Sequence, residues 1–554
     1  MEFLLIVKLF QKLEKTTSRL EMTSILSEFL HEVPVDLLPI ILLFIRGRVF
    51  PLWSEKELGI GEKLMIKAIS NISGNNELEV ENKIREKGDM GLAAEELLVR
   101  KTQTTLFTEK LTVERVYNNL NRLAELTGKK SQDKKLSYIS ELLSSAEPIE
   151  SRYLVRLILE ELRLGVGEGI VRDAIASAFN VDAVLLERAR SLTSDLGEVA
   201  KIARLDGNEG LRRVSIKPGR PIEVMLAQKA EGIEDVLEKF RPAIFEIKYD
   251  GARIQIHKDN DKVLLFTRRL ENVTRQFPEI VDSAKKNIKV KSAVVEGELV
   301  AIKSRDDRKP RPFQDLSRRI KRKYGIREMM DEIPVEVNLF DVVFCEGENK
   351  INDRFIERRK LLEKIVKKSD NFRLSELIIT KNVEKANDFY QMAIGMGHEG
   401  VMAKNPDAPY QPGSRVGYMY KIKPVMETLD LVIVGATWGE GRRAHWMASF
   451  LLALMDDDTG RLLSVGRMGT GFTDKQFEEM TSLLKPKIIS ESGREIKLKP
   501  EIVVEVAYEE IQKSPTYESG YALRFPRLVR IRYDKGVDDI DTIKRLEELI
   551  GKSG

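Results

Sequence analysis

Two prolines and a glycine fall within five residues at Lys217-Pro218-Gly219-Arg220-Pro221, a run through which no helix continues. The chain changes character there. Before it, apolar residues recur at helical spacing: Leu9 with Leu13, Met22 with Leu26 and Leu30, then Val116, Leu120 and Leu123 behind Thr112-Val113-Glu114-Arg115. Further helices are expected over 153–164 and 170–179, joined by Gly165-Val166-Gly167-Glu168-Gly169. That glycine-rich turn reads either as a phosphate cradle opening a helix or as a plain helix end and loop. No fixed repeat period is evident, so no solenoid is expected.

After the boundary, short strands mix with helices, at 264–266, 293–295, 335–344 and 400–403. Beyond Lys423-Pro424 come strands at 431–436, 449–454, 462–465 and 502–506 with a helix at 474–484, a pattern that suits a small barrel such as an OB-fold. The expected fold is multidomain: an all-α N-terminal domain over 1–217, an α+β domain over 218–424 and a C-terminal β-barrel over 425–554. A chain of 554 residues has room for three such units.

Composition excludes some classes. A single cysteine, Cys345, builds neither a disulfide framework nor a Cys-rich zinc module, and fits a reducing interior. The apolar run 3–7 is broken by Lys8 with no cleavage-like sequence after it, so neither a signal peptide nor a membrane span is expected. Many Glu, Lys and Arg beside one Cys lean towards a thermophile. The net charge of +4 is too small to imply a polyanionic partner. Local clustering says more: between 303 and 327, eleven Lys and Arg face three Asp, a net of +8. A solvated helix face is one reading, and a phosphate-backbone contact is the one favoured.

Lys248-Tyr249-Asp250-Gly251-Ala252-Arg253 carries the chemistry. The flanks 243–247 and 254–257 alternate apolar with polar like half-buried strands, and Asp250-Gly251 between them signals a hairpin, since Gly takes positive φ freely. Lys248 then ends a strand. An amine attacks phosphorus only when neutral, and a free lysine titrates near roughly 10.4, so neighbouring cations such as Arg253 or a divalent metal must lower it. Taken alone, the motif also fits a surface hairpin with a solvated lysine.

Other segments converge on it. Arg268-Arg269 follows a strand and suits phosphate or ribose. Glu296 and Glu298, one residue apart, share a strand face and suit magnesium, or else keep an edge strand soluble. Phe340 in Asn338-Leu339-Phe340-Asp341 ends a strand, as a base-stacking ring or a core residue. Glu399 opens a strand, and Lys421 with Lys423 puts two ammoniums on one face. From Arg524 to Lys535, five cations face Asp534.

The order of these segments resembles the ATP-dependent DNA ligases along nearly the whole chain, most of all the archaeal and eukaryotic replicative branch. The resemblance implies a helical DNA-binding domain, a nucleotidyltransferase (adenylation) domain and an OB-fold, acting in DNA replication, repair and recombination with ATP and Mg2+. It implies that Lys248 carries AMP, that Glu246 and Phe340 frame the adenine, and that Arg253, Arg268 and Glu298 hold ribose and phosphate. Glu298 and Glu399 would lie near the metal, and Arg415, Lys421 and Lys423 on the phosphates. Arg524, Arg527 and Lys535 would orient pyrophosphate. The family often has tryptophan where this chain has Met419, which puts stacking there in doubt.

The expected partner is nicked duplex DNA, bound by a cytoplasmic monomer with no membrane contact. Rivals are an RNA ligase, a capping guanylyltransferase and a non-catalytic DNA-binding scaffold. Gln103, Leu106 and Phe107 read either as a sliding-clamp peptide or as a loop packed inward.

Overall fold

Side chains mark the ends of the N-terminal helices. Ser18 accepts the Glu21 N–H to start Arg19–Glu32, Thr112 caps Val113–Glu125, and Asp182 caps Ala183–Thr193. On Val113–Glu125 the buried residues Val113, Val116, Leu120 and Leu123 form the stripe that the spacing requires. They join a core with Phe3, Phe10, Leu26, Phe44 and Tyr153. The computed structural model describes every residue except 102–109, 127, 129, 130, 163, 323, 425, 441, 442, 444, 553 and 554. Gln103, Leu106 and Phe107 therefore lie outside the described residues.

The helix expected over 153–164 spans Pro148–Ile158 instead. It starts early because Pro148 fits the first turn without an N–H and Glu150 accepts the Glu147 N–H at 2.7 Å. It stops early because Glu160 takes φ +58° and the Glu161 N–H turns back to the Arg156 carbonyl at 2.7 Å. The next helix, Glu168–Phe179, opens on Gly167, two residues before the expected start.

A two-copy motif also emerges. Leu58-Gly59-Ile60-Gly61-Glu62 matches Leu164-Gly165-Val166-Gly167-Glu168. In each, the first glycine is left-handed (φ +59° and +71°) and the second caps a 12-residue helix, Glu62–Ser73 or Glu168–Phe179. Two copies make no period, so a search for regular repeats passes over them.

Contacts divide the chain into two units, Met1–Ile422 and Lys423–Gly554. In the first, the strands after the linker are β1 (Leu226–Lys229), β2 (Ala243–Lys248), β3 (Ala252–Asp259), β4 (Lys262–Thr267), β5 (Ser292–Ala301) and β6 (Val335–Cys345). They continue with β7 (Glu348–Asn349), β8 (Phe372–Leu374), β9 (Leu377–Thr380), β10 (Gly400–Lys404) and β11 (Arg415–Ile422). One sheet runs β1-β11-β10-β2-β9, and the other β4-β3-β5-β6-β7 with β8 on β6.

The expected hairpin is therefore absent: β2 and β3 belong to different sheets. Tyr249-Asp250-Gly251 crosses from one to the other. Gly251 serves close approach and not a left-handed turn, since a Cβ there would sit 2.3 Å from the Leu299 carbonyl oxygen of β5. A short loop with Asp-Gly looks the same in sequence whether its strands pair or part.

The second unit holds β12 (Leu429–Trp438), β13 (Met447–Met455), β14 (Leu462–Met468), β15 (Ile488–Ser492), β16 (Glu495–Leu498), β17 (Val503–Ala507), β18 (Glu510–Lys513), β19 (Tyr521–Arg524) and β20 (Arg527–Ile531). Seven form one sheet, in which β12 pairs with β17 through its first half and with β16 through its second. The switch falls at a register shift ending on Gly435. This is the OB-fold, although the strand ladders among the described residues stop short of a closed ring. Its helix, Asp474–Leu484, begins on a Thr473–Gln476 capping box at the expected residue. Among the described residues no helix is long and apolar enough to cross a membrane.

Candidate nucleotidyl-transfer site

Lys248 is the last residue of β2, and its Nζ lies 2.5 Å from Glu399 Oε2, just ahead of β10. Register explains the meeting. Gly400 stands opposite Lys248, Met402 opposite Glu246, and Lys421 of β11 opposite Met402. Glu246, Lys248, Met402 and Lys421 therefore share one sheet face.

The second sheet supplies the other wall. Arg253 on β3 pairs with Glu296 of β5 at 2.7 Å and donates to the Met225 carbonyl at 2.8 Å, while the Tyr410 hydroxyl donates to Glu296 at 2.9 Å. Glu296 is fully buried, as expected for an acid held by an arginine and a phenol. Burial raises the Tyr410 hydroxyl well above the usual phenol range, and the Glu296 charge adds to the rise. Glu298 is half-buried, and desolvation pushes its carboxyl up to about 7 against the pull of Lys248 and Arg253, with Glu399 and Asp250 adding to the rise. Strand β5 runs between β3 and β6, so this pair of acids is not on an edge strand.

Phe340 does not end a strand; it sits in the middle of β6. Glu296 pairs with Asp341 and Gly297 with Leu339, so Phe340 is the extra residue of a bulge. It is the one residue of β6 that is not buried. The ring lies 5.3 Å from the Arg253 guanidinium and 4.7 Å from Lys404 Nζ. These groups line a cavity with Met225, Tyr410 and Met419, which brings the thioether to the same space as the ring.

Glu246 is buried and engaged by Lys404 and by Arg359 at 3.3 Å. Arg268 follows β4 and Arg415 opens β11, both exposed. Lys423 is the first residue of the second unit. In that unit Arg524 on β19 pairs with Glu510 at 3.0 Å, and Arg527 opens β20. Lys535 lies past the far end of β20, bound to Asp430 at 2.8 Å, so the fold does not bring it beside Arg524 and Arg527.

The basic stretch 303–327 is partly neutralised within the fold. Arg319 is fully buried against Glu279, and Arg308, Arg311, Arg318 and Lys303 pair with Glu336, Asp315, Glu332 and Asp307. Counting charges along the sequence misses Glu279, Glu332 and Glu336, which lie outside the stretch. Sequence reasoning also gave no role to Tyr410, Lys404 or Arg359. The one signal for Tyr410 was a tyrosine set among prolines at Pro409-Tyr410-Gln411-Pro412.

Two sheets meeting around a lysine at a strand end, with a helical region before them and an OB-fold after, define the class: a nucleotidyltransferase built on an adenylation domain. Family models agree along the chain. Residues 2–176 match the DNA ligase N terminus, 224–423 the ATP dependent DNA ligase domain and 443–535 the ATP dependent DNA ligase C terminal region. A DNA ligase of Thermococcus fumicolans is 50% identical over 98% of this chain and 97% of its own length. One from Archaeoglobus fulgidus is 48% identical over 97% and 96%. A solved structure described as Pmar-Lig_PreS3 shares the fold, with a TM-score of 0.57 at 21% identity over 95% of this chain and 99% of that one. The chain belongs to the ATP-dependent DNA ligases, the family that seals nicks in DNA. That membership decides against an RNA ligase, a capping enzyme and an inert scaffold.

Proposed function

We propose that Lys248 is the nucleophile that carries AMP, and that one site performs three phosphoryl transfers in turn. The observation that carries this reading is the convergence of Lys248, Glu399, Glu298, Arg253, Phe340 and Lys421 from two sheets. Lys248 Nζ attacks the α-phosphorus of ATP, its proton passing to the carboxylate of Glu399 at 2.5 Å, and pyrophosphate leaves. The lysyl phosphoramidate then gives AMP to the 5′-phosphate of a nick. The 3′-hydroxyl attacks that phosphate, AMP departs and the strand is closed.

Each step needs in-line placement and cancellation of negative charge. Lys421, Arg268 and Arg415 supply cations on the phosphate side, and Phe340 stacks on the adenine with Glu246 beside it. Arg253 binds ribose and phosphate from its fixed place on Glu296. Of the remaining cations, Lys423 is assigned to the phosphates and Arg524 and Arg527 to pyrophosphate; Lys535 joins the two arginines only on leaving its pair with Asp430.

The acids fit magnesium. Among the described residues no three His, Cys, Asp or Glu are arranged as a metal cage, but magnesium takes one or two carboxylates and completes its shell with water and substrate phosphate. Glu298, raised to about 7 by desolvation with Glu399 and Asp250 adding to the rise, is a carboxyl that a divalent cation would most readily draw into its ionised form. When bound, the ion supplies positive charge at the transferring phosphoryl group.

The same reading gives domains at 1–217, 218–424 and 425–554 in a cytoplasmic monomer. The helical domain and the basic stretch grip duplex backbone without reading sequence. A clamp contact through Gln103, Leu106 and Phe107 belongs to it too. Lys248→Ala tests the core of the proposal. It should take no label from α-labelled ATP, yet still close a nick whose 5′-phosphate is already adenylated; label on the variant would sink the assignment.

A further inference from the structure

The linker between the helices and the sheets is tied at every step. Gly219 donates its N–H to His257 Nδ1 at 3.1 Å, and Ile222 exchanges two hydrogen bonds with the Gln255 side chain, at 3.1 and 2.6 Å. The next residue turns to the helical region. Glu223 donates its N–H to the Ser191 carbonyl at 2.9 Å, and its carboxylate takes the Arg190 guanidinium in a two-pronged pair and the Ser191 hydroxyl at 3.1 Å. Arg190 is nearly buried and also binds Glu187 and Glu168. Gly413 packs so closely that a Cβ there would sit 2.2 Å from the Glu223 carboxylate.

Two residues on, the same segment reaches the nucleotide site. The Met225 N–H donates to the Tyr410 hydroxyl at 3.0 Å, and its carbonyl accepts from Arg253 at 2.8 Å. Tyr410 is nearly buried, and its hydroxyl also bonds Glu296 and receives Arg253 at 3.3 Å. Neither sheet alone therefore fixes the fork of Arg253. One prong rests on Glu296 and the other on a linker carbonyl whose neighbours are anchored on the helix Ala183–Thr193.

We propose that residues 217–226 form a positioning strap for Arg253: Tyr410 and Met225 hold the guanidinium, and the Arg190–Glu223 pair holds the strap. The helical region thus acts on ATP binding before any DNA is present. This rests on the reading of Arg253 as a nucleotide contact. Arg190, Glu223 and Tyr410 are positioning residues, because each acts through Arg253 or through the strap.

The test is self-adenylation without DNA, as initial rates against ATP concentration for Glu223→Gln, Tyr410→Phe and, as the reference, Arg253→Met. The first two substitutions keep shape while removing a charge or a hydroxyl, and thermal melting confirms that each variant is folded at the assay temperature. Both should raise the KM for ATP by about fivefold to tenfold, with kcat within about twofold of wild type, since loss of one buried bond to a charged group is expected to weaken binding by that order. A residue with a purely structural role would lower the melting temperature and leave KM in place. If Arg253→Met raises KM while either strap variant keeps the wild-type value, the strap is overturned. If Arg253→Met itself leaves KM unchanged, the nucleotide role of Arg253 fails and the strap with it.

Discussion

Phe340 shows how one residue's place decides its use. A phenylalanine in a long apolar strand is ordinarily core, and ten of the eleven residues of β6 are buried. The bulge opposite Glu296 and Gly297 turns the eleventh out. Phe340→Ala should raise the KM for ATP in self-adenylation by about tenfold or more, from the ~1–3 kcal/mol of base stacking on an aromatic ring. The melting temperature should stay within a few degrees of wild type; an unchanged KM would remove the ring from the base site. At this scale the sequence grouped Lys248, Glu298, Glu399 and Lys421 as candidates, and strand register brings these four near one another. It was not legible for Tyr410, Lys404 or Arg359, each of which meets the site through an acid more than a hundred residues away, Glu296 or Glu246. Nor did it reveal that Lys535 is committed to Asp430, since a cation in a basic run shows nothing of its acid.

Elements were read well wherever periodicity was long, as in Asp474–Leu484, and poorly where two elements part company. The loop after Lys248 looks like a hairpin because Asp-Gly chemistry is local, while the choice of pairing partner is not. The linker is the other such element: two prolines announced a boundary, and the structure shows a segment welded to β3. His257 makes that weld sensitive to acid. Its Nδ1 accepts from Gly219 and its Nε2 faces the Gln255 oxygen at 3.2 Å, an arrangement that needs the neutral ring. Burial lowers its pKa from 6.5 to about 3. Between those values the unfolded chain binds a proton that the folded chain refuses, so this contribution is complete above about pH 6.5 and declines as the pH falls towards 3. Over the whole window it amounts to a few kcal/mol. Wild type should lose more melting temperature than His257→Gln between pH 7 and 4.5, and parallel losses would show that the histidine does not set the slope.

For the molecule as a whole, the pattern of helices, then mixed sheets, then an OB-fold was visible from composition shifts and strand spacing, and family membership follows over nearly the whole chain. What sequence could not supply is how the helical region and the first sheets share contacts: Met1–Ile422 forms one unit, with a linker bonded on both sides and a core that Val294, Val343, Phe344 and Met419 share with the helices. In the proposed reaction that unit takes up AMP from ATP. The most direct measurement is to incubate the full chain with ATP and magnesium, digest it and locate AMP by peptide mass spectrometry, before and after adding nicked duplex DNA. AMP on the peptide bearing Lys248, and its disappearance as the nick closes, is the predicted result. AMP on another residue, or sealing that proceeds from ATP with Lys248 never modified, would contradict it.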